Sequence, residues 1–438
     1  MSTMKVAADF ALGKRQDGRD IDLEVILDGL KSGGEALAKW TLDEILDVID
    51  AFGQALMDRN NTIHRRYPTS GLPYIAQWCR RSSLEALVDS ALGTCRKIDQ
   101  FVTDEARKDR AYRAYPCGLV VHWMAGNVPT LGFLSLIQGL LAKNANLLKQ
   151  PSGADGMLGE ILDVMACIGE GPRSGAELVK AIAAIKYDHD RLDVAKHLSL
   201  SADARLMWGS DESIEKISQL PTKQGCADLV FGNKTSIILI SAEALANGDQ
   251  DTMARRIVLD VSIFEQKACA SPHTIFIETD NDAVLDGFAV RLHAAFERSL
   301  KTLPKTPPSQ REVAAILNLR AKYDAFHKAW YSTGTEFSIL SDDQVQLGPA
   351  IGNRTIYLRK AQPLERILDL ITPKVQSVGI AAGKSEYDRI TSAFAACGVQ
   401  RFAPLGAMTH FESPWDGYFP IHALVRWASR PSQPTLGE

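Results

Sequence analysis

From Pro116 onward, short apolar runs alternate with segments of helical spacing along most of the chain. The runs that we predict as buried strands are residues 118–122, 146–149, 204–208, 236–240, 274–278, 355–358 and 375–380. The segment from Leu131 to Leu141 is predicted as a helix between the first two of these strands. Strands that alternate with helices in this way are typical of a parallel sheet covered by helices. The sequence therefore predicts an α/β protein.

The first hundred or so residues are predicted to be helical. Thr41 and Glu44 form a capping-box pattern before a run of apolar residues. Ser82 and Glu85 form a second such pattern before a helix that Gly93 is expected to end. We interpret this section as a packing and oligomerisation surface.

Composition and charge exclude several classes of protein. The 49 Lys and Arg residues against 53 Asp and Glu give a net charge of -4, which leaves no basic field to hold nucleic acid or anionic lipid. Seven cysteines without a CxxC pair indicate neither a disulfide framework nor a metal site. The most apolar stretch, 128–142, is too short for a membrane span, and the charged N-terminus does not resemble a signal peptide. We expect a cytoplasmic protein.

Cys269 is the candidate nucleophile. It lies in the segment FEQKACASP, residues 264–272, between a helical run and a predicted strand. Side chains at such junctions of α/β proteins can project into a cleft. A thiol at pH 7 needs local help to form the thiolate, and Lys267 or backbone N–H groups could supply it. Taken alone, the pattern favours an inert buried thiol.

Four further segments change that interpretation because of their order. They are PCGLVVHWMAGNVPT (116–130), NLLKQPS (146–152), WGS (208–210) and FGNKT (231–235), and they precede Cys269 with comparable gaps. Together they resemble the aldehyde-dehydrogenase superfamily, whose Lys-Pro-Ser motif here carries an inserted Gln150. A closer resemblance is to the LuxC-type (long-chain) fatty acyl-CoA reductases of bacterial luminescence. It includes the tail segments RFAPLGAM (401–408) and WDG (415–417) and runs from about Pro116 to Trp427.

The resemblance implies an aldehyde-dehydrogenase-like α/β fold with a Rossmann-type nucleotide-binding domain and an α/β catalytic domain. On this basis we expect a helical N-terminal section at 1–112 and a nicotinamide-dinucleotide-binding domain at 113–232. The catalytic domain with the cysteine would occupy 233–405, and a C-terminal return segment 406–438.

The resemblance also implies roles for individual residues. Cys269 would form an acyl thioester, and the Asn127 side chain, beside the Cys269 backbone N–H, would stabilise the oxyanion. Asn127 could instead form a turn before Val-Pro.

The implied cofactor-binding residues are Lys149 and Ser152 at the adenine ribose and Gly209 and Ser210 at the pyrophosphate. Lys149 could instead be an exposed strand-end lysine, and Gly209–Ser210 an ordinary turn in which Asp211 caps the next helix.

Two departures from the family pattern bear on function. Gly153 replaces an acidic residue that often grips the ribose hydroxyls, so we expect NADPH, with NADH as the alternative. Val230 stands where classical aldehyde dehydrogenases carry the glutamate that activates water. An acyl-cysteine without that base should wait for another acceptor. Glu265 could replace the base, but we interpret it as structural.

The sequence therefore predicts an acyl-CoA reductase that reduces an activated, fatty acyl thioester to an aldehyde with NAD(P)H, with coenzyme A as the leaving group. The acyl donor could also be an adenylate or an acyl group on a partner protein. We expect a homo-oligomer and consider an acyl-activating enzyme as a partner. Two alternatives stay open: an NAD(P)-dependent aldehyde dehydrogenase that forms acid or acyl-CoA, and a non-catalytic partner of an acyl-activating enzyme. His122 and His273 are interpreted as core residues rather than bases.

Overall fold

The computed structural model describes residues 4–58, 60–67, 70–126, 128, 130–303 and 305–433. Contacts divide the chain into two compact units. Unit 1 comprises Met1–Gly232 and Phe411–Glu438, and unit 2 comprises Asn233–His410. The expected sections 1–112 and 113–232 thus lie within one unit.

The strands of unit 1 up to its first boundary are β1 (Lys5–Ala11), β2 (Lys14–Asp22), β3 (Val102–Thr103), β4 (Arg110–Pro116), β5 (Leu119–Trp123), β6 (Ala145–Lys149), β7 (Ile182–Lys186), β8 (Ala204–Trp208) and β9 (Ala227–Phe231). Unit 2 contains β10 (Thr235–Ile240), β11 (Pro272–Ile277), β12 (Lys328–Tyr331), β13 (Ser338–Ser341), β14 (Thr355–Lys360), β15 (Val375–Ala381) and β16 (Arg401–Pro404). The C-terminal part of unit 1 adds β17 (Val425–Pro431).

The helices of unit 1 are α1 (Leu23–Leu37), α2 (Leu42–Met57), α3 (Thr62–Arg66), α4 (Leu72–Trp78), α5 (Arg81–Leu92), α6 (Leu131–Leu141), α7 (Met157–Ala166), α8 (Gly175–Leu178), α9 (Leu192–Ser201) and α10 (Asp211–Ser218). Unit 2 contains α11 (Ala242–Asn247), α12 (Gln250–Ser262), α13 (Asp282–Ser299), α14 (Gln310–Phe326) and α15 (Lys384–Ala396), and α16 (Pro420–Ala423) returns to unit 1. Short 3₁₀ helices cover Cys95–Ile98, Val179–Ala181, Ile263–Gln266 and Leu364–Leu370.

The large sheet of unit 1 has the strand order β2-β1-β7-β6-β5-β8-β9 in the described part of the chain. Strands β5 to β9 run parallel to one another. The chain progresses outward from β5 through β6 to β7 and then crosses back to place β8 on the other side of β5. Ligands of open α/β sheets bind outside the carboxyl ends of the strands at such a reversal of order. In this unit the point lies between β5 and β8.

The N-terminal section differs from the helical prediction because it begins with a hairpin. Strands β1 and β2 pair with each other, and β1 adds antiparallel to the edge of the sheet at β7. In β1, KVAADFA, the buried residues Val6, Ala8 and Phe10 alternate along the strand, but the alanines make this pattern weak. β2, KRQDGRDID, is polar except for Ile21 and Gly18 and shows no such pattern. Their pairing depends on the sheet edge that they cover.

Unit 2 contains a second mostly parallel sheet, of order β12-β13-β14-β11-β10-β15-β16 within the described residues. Both of its faces are buried: Ile238 and Ile240 of β10 pack in one core cluster, and Ile237 and Leu239 pack in another. Burial on both faces explains why this strand is a continuous apolar run rather than an alternating one.

The C-terminal segment returns to unit 1, where β17 pairs antiparallel with β4. Residues 406–410, which we expected in the return segment, belong to unit 2. The reason lies in Asp260 of α12, which is fully buried and accepts hydrogen bonds from the backbone N–H groups of Gly406 (2.6 Å) and Met408 (2.9 Å). Among the helices that the structure describes, none combines the length and the apolar character needed to cross a membrane.

Candidate active site

Cys269 lies in a turn at the amino end of β11 in unit 2, and its side chain is half-buried. We call residues 267–271 the Cys269 turn. The Ser236 hydroxyl of β10 donates to the Cys269 carbonyl oxygen at 2.7 Å, and the Ser271 N–H donates to the Ala268 carbonyl at 3.0 Å. The backbone around the sulfur is therefore held by a neighbouring strand as well as within the turn.

Lys267, which the sequence suggested as a cationic neighbour of the thiol, lies exposed with its ammonium 3.8 Å from a carboxylate oxygen of Glu312. Glu312 also caps α14, and its hydrogen bonds to Ser309, followed by one to Asn353, lower its pKa to about 2. The Lys267 ammonium therefore lies beside a carboxylate that stays ionised.

Glu265 has a structural partner, as the sequence interpretation held. Its carboxylate forms a bidentate ion pair with the Arg354 guanidinium at 2.9 and 3.1 Å, and both side chains are buried. Removing one partner of such a buried pair typically costs about 3–5 kcal/mol, because it leaves an uncompensated charge. A carboxylate held in this way is a poor general base.

Asn127, the predicted oxyanion donor, lies outside the described residues, as does Pro129. The segment that leads to it is described: β5 ends at Trp123, and Met124–Gly126 follow at the carboxyl edge of the unit 1 sheet. The role of Asn127 stays a prediction.

Lys149 ends β6 at the same carboxyl edge. Its ammonium lies 5.1 Å from the centroid of the Tyr187 ring, a cation–π distance. Burial lowers the pKa of Lys149, and the nearby charge of Asp188 opposes that effect. A partly desolvated cation at the carboxyl end of a parallel strand can interact strongly with an anionic ligand group.

The loop between β6 and α7, residues 150–156, follows directly, and we call it the Lys149 loop. The inserted Gln150 is buried, and its amide donates to the Asp9 carboxylate of β1 at 2.8 Å. Lys186 of β7 pairs with the same carboxylate at 2.9 Å and donates to the Ala154 carbonyl at 2.9 Å. The N-terminal hairpin, which the sequence did not predict, thereby anchors this loop.

A cavity of about 250 Å³ lies beside the loop, lined among others by Met124, Gly126, Pro151, Gly153 and Asp155. A Cβ added to Gly126 would lie 3.5 Å from the Pro151 ring, and one at Gly153 would meet nothing within 4 Å. Small residues therefore keep the space open at the ends of β5 and β6. Ser152 is exposed in the same loop.

Gly209 and Ser210 follow β8 on the other side of β5, so the structure places them at the same sheet edge as Lys149 and Ser152. The Ser210 hydroxyl caps α10 by accepting from the Ser213 N–H at 3.3 Å. The Gly209 N–H donates to the Phe231 carbonyl at 3.3 Å. Asp211 and Glu212 occupy the first turn of α10, and their charges oppose an anion at this helix end.

The histidines of the sequence analysis are core residues. His122 is fully buried, with ring nitrogens 2.8 Å from the Ser135 hydroxyl and 3.1 Å from the Asn146 amide oxygen. His273 is also buried. Burial lowers the pKa of each to about 4. Val230, at the place of the family's water-activating glutamate, packs against the apolar core of unit 1.

Disulfide bonds and metal-binding clusters were sought among the described side chains. None of the seven cysteines, all of which lie in the described ranges, forms a disulfide. Within those same ranges, no group of three or more His, Cys, Asp or Glu side chains is placed to hold a metal ion.

Solved structures with the same architecture include aldehyde dehydrogenases. Aldehyde dehydrogenase 21 from Physcomitrella patens matches with a TM-score of 0.69 at 11% identity and covers 99% of this chain and 96% of its own. Glyceraldehyde-3-phosphate dehydrogenase GapN from Methanocaldococcus jannaschii, solved with NADP, matches with a TM-score of 0.68 at 10% identity, covering 97% and 98%. The protein has the aldehyde-dehydrogenase fold, as the sequence predicted.

The profile of the family described as Acyl-CoA reductase (LuxC) matches residues 37–427, and the chain belongs to this family. A long-chain acyl-protein thioester reductase of Aliivibrio fischeri is 26% identical over 361 residues, which cover 80% of this chain and 71% of that protein. The corresponding reductase of Vibrio harveyi is 23% identical over 410 residues, covering 89% and 82%. The resemblance noted in the sequence is therefore confirmed.

Several residues of the candidate site were missed by the sequence analysis. Asp9, Tyr187 and Lys186 surround Lys149 and its loop, and Asp155 brings a carboxylate to a cavity where Gly153 suggested none. Their distance from the motifs along the chain left no local signal, although Asp155 lies only three residues beyond Ser152.

Proposed function

We propose that this protein reduces a long-chain acyl thioester to an aldehyde with a nicotinamide dinucleotide, through an acyl-thioester on Cys269. The supporting observation is the half-buried Cys269, held in a turn before β11, in a chain of the LuxC family. In this proposal unit 2 provides the nucleophile, and unit 1 holds the cofactor at the carboxyl edge of its sheet.

The chemistry of Cys269 is a balanced two-stage transfer. Its thiolate attacks the donor carbonyl and forms a tetrahedral oxyanion, which we assign to the Cys269 N–H and the Asn127 side chain. Cleavage of the donor C–S bond expels the donor thiolate and leaves acyl-Cys269. After reduction and protonation at the carbonyl, the thiohemiacetal loses the Cys269 thiolate and a proton to yield the aldehyde.

The residues of unit 1 fit a nicotinamide dinucleotide. Lys149 and Ser152 are neighbours in sequence of Gln150, Pro151 and Gly153, which line the cavity. Gly209 and Ser210 lie across the reversal of strand order. When bound, the reduced cofactor would supply a hydride, which is a proton with two electrons, to the acyl carbon. We assign Lys149 to the ribose, where its positive charge favours a 2′-phosphate and hence NADPH. NADH is the alternative, because the Asp155 carboxylate lines the cavity and would repel that phosphate.

Water is a poor acceptor of the acyl group on Cys269. Val230 lies at the position of the missing base, and Glu265 is tied to Arg354. Without a base to activate water, acyl-Cys269 persists until it is reduced. This feature favours reduction over the oxidation of an aldehyde to a free acid.

The acyl donor we propose is a protein-bound thioester. The curated relatives are named as reductases of acyl-protein thioesters, whereas the family description names acyl-CoA. The expectation of coenzyme A as the leaving group therefore receives no support from those relatives. Acyl-CoA remains the second candidate because of the family description alone.

The experiment that tests the function measures NADPH and NADH consumption with acyl thioesters of increasing length, presented both on coenzyme A and on an acyl carrier protein. We expect aldehyde to form one-for-one with oxidised cofactor, and the carrier-protein thioester to react at the lower concentration. Cys269→Ala should abolish aldehyde formation, whereas Cys167→Ala, at an exposed cysteine, should leave it unchanged. Aldehyde formation by Cys269→Ala would overturn the proposal.

A further inference from the structure

Three consecutive residues just before the Cys269 turn have left-handed backbone conformations, although none of them is glycine. The φ angles of Phe264, Glu265 and Gln266 are 55°, 52° and 62°. Residues with a Cβ avoid this region because the Cβ atom approaches the following carbonyl oxygen. A run of three persists only where the surrounding contacts fix it, and such runs are concentrated at functional sites.

This run packs on a second left-handed segment. Asn353 and Arg354, immediately before β14, have φ angles of 54° and 58°. The Asn353 N–H donates to the Glu265 carbonyl at 3.2 Å, and the Arg354 guanidinium pairs with the Glu265 carboxylate. Two strained segments 89 residues apart thus hold each other through one backbone hydrogen bond and one buried ion pair.

Gln266 extends this anchoring across the Cys269 turn. Its side chain is 2% exposed, and its amide nitrogen donates to the Pro272 carbonyl at 2.7 Å and to the Thr355 carbonyl at 2.9 Å. Its amide oxygen accepts from the Thr355 N–H at 2.9 Å. The bond to Pro272 closes a loop with Cys269 in its middle, and the two bonds to Thr355 fix that loop to β14.

We propose that Gln266 is a positioning residue that fixes the attack geometry of Cys269, an inference that rests on the acyl-cysteine function proposed above. Gln266 touches neither sulfur nor substrate in this assignment. It acts by holding both ends of the turn, while Ser236 holds the Cys269 carbonyl. A displacement of about 1 Å in a reacting group can slow a reaction about 10²-fold.

The test is Gln266→Met, which keeps the length of the side chain and removes its three hydrogen bonds. With the thioester that the wild type accepts, we expect single-turnover acylation about 10- to 100-fold slower, with the half-saturating concentration changed less than about 3-fold. Alkylation by iodoacetamide, which needs no oxyanion geometry, should slow less than about 3-fold. Gln266→Glu keeps the acceptor for the Thr355 N–H and, when its carboxyl group is protonated, at most one of the two donated hydrogen bonds. It should slow acylation in the same selective way, by a smaller factor, if Gln266→Met folds poorly.

Gln138→Met in α6 is the matched control, because Gln138 is a fully buried glutamine whose amide donates to the Leu134 carbonyl in unit 1. It should leave the acylation rate unchanged. Unchanged acylation in both Gln266 variants, or alkylation slowed as strongly as acylation, would overturn the positioning role alone. Absence of acylation in the wild type would instead contradict the proposed function.

Discussion

The Cys269 turn and the Lys149 loop are built in opposite ways. The turn is fixed by left-handed residues with side chains, by buried hydrogen bonds of Gln266, and by a hydroxyl of the neighbouring strand. The loop contains Gly153 and the left-handed Gly156, borders an open cavity, and is tied to the sheet through Asp9. A rigid turn suits a nucleophile whose geometry sets the rate, and an open loop suits a ligand that must enter and leave.

This difference leads to a separation of kinetic effects. Changes in the turn should alter the acylation rate and leave cofactor affinity unchanged. Changes in the loop should alter cofactor affinity and leave acylation in the absence of cofactor unchanged.

The largest effect on the loop side is expected for Lys149→Met, which keeps the apolar stem and removes the charge. A hydrogen bond to a charged group is worth about 1.5–3 kcal/mol, so the KM for the cofactor should rise roughly 10- to 100-fold. Steady-state kinetics with NADPH and NADH check this, and a larger effect on NADPH would locate the 2′-phosphate at Lys149. Lys196→Met, at an exposed lysine of α9, is the control. Slower acylation by Lys149→Met in the absence of cofactor would contradict the expectation that the loop affects cofactor binding alone.

Each unit contains one buried histidine, His122 on β5 and His273 on β11, and both should make the stability of the protein depend on pH. Burial lowers the pKa of His122 and of His273 to about 4, from an ordinary 6.5. Between these values the unfolded chain binds more protons, so each histidine contributes stability above pH 6.5 that is lost as the pH falls towards 4. At pH 5 the loss should approach about 2 kcal/mol for each.

Melting temperatures measured from pH 7 to pH 5 check this expectation. His273→Gln, which cannot titrate, should show a smaller decrease over that range than the wild type. An identical decrease in the variant would show that His273 titrates normally in the folded protein.

The smallest effect is expected for Asp9→Asn. It weakens the pair with Lys186 and the bond from Gln150, which together hold the Lys149 loop. A net hydrogen bond is worth about 0.5–1.5 kcal/mol, so the KM for the cofactor should rise roughly 2- to 10-fold at unchanged kcat. Asp163→Asn, which alters a more exposed carboxylate of neighbouring α7, should leave the KM unchanged. An effect on kcat instead would mean that the loop controls chemistry.

Much of the fold could be predicted because the buried strands are apolar runs. The predicted helix Leu131–Leu141 and strand Ala204–Trp208 have the same bounds in the structure. The capping box of Thr41 and Glu44 is present, whereas Ser82 does not cap α5. There the Arg81 N–H donates to Asp50 of α2 at 2.9 Å, and a cap supplied by another helix leaves no local pattern.

In both regions the sequence identified the central residue of the site but not the residues that hold it in place. The resemblance located Cys269 and Lys149 because they lie in contiguous motifs. The partners that fix them could not be found in this way: Gln266 bonds to Thr355 and Glu265 to Arg354, each 89 residues away. Asp9 reaches Gln150 over 141 residues. Contacts of that range are set by the packing of whole sheets.

Acylation of Cys269 can be measured from the mass of the peptide that contains it, after the protein is mixed with a long-chain acyl thioester and no cofactor. We expect one acyl group on Cys269, stable towards water and released as aldehyde when NADPH is added. An unmodified Cys269 peptide under conditions that support aldehyde formation would contradict this expectation.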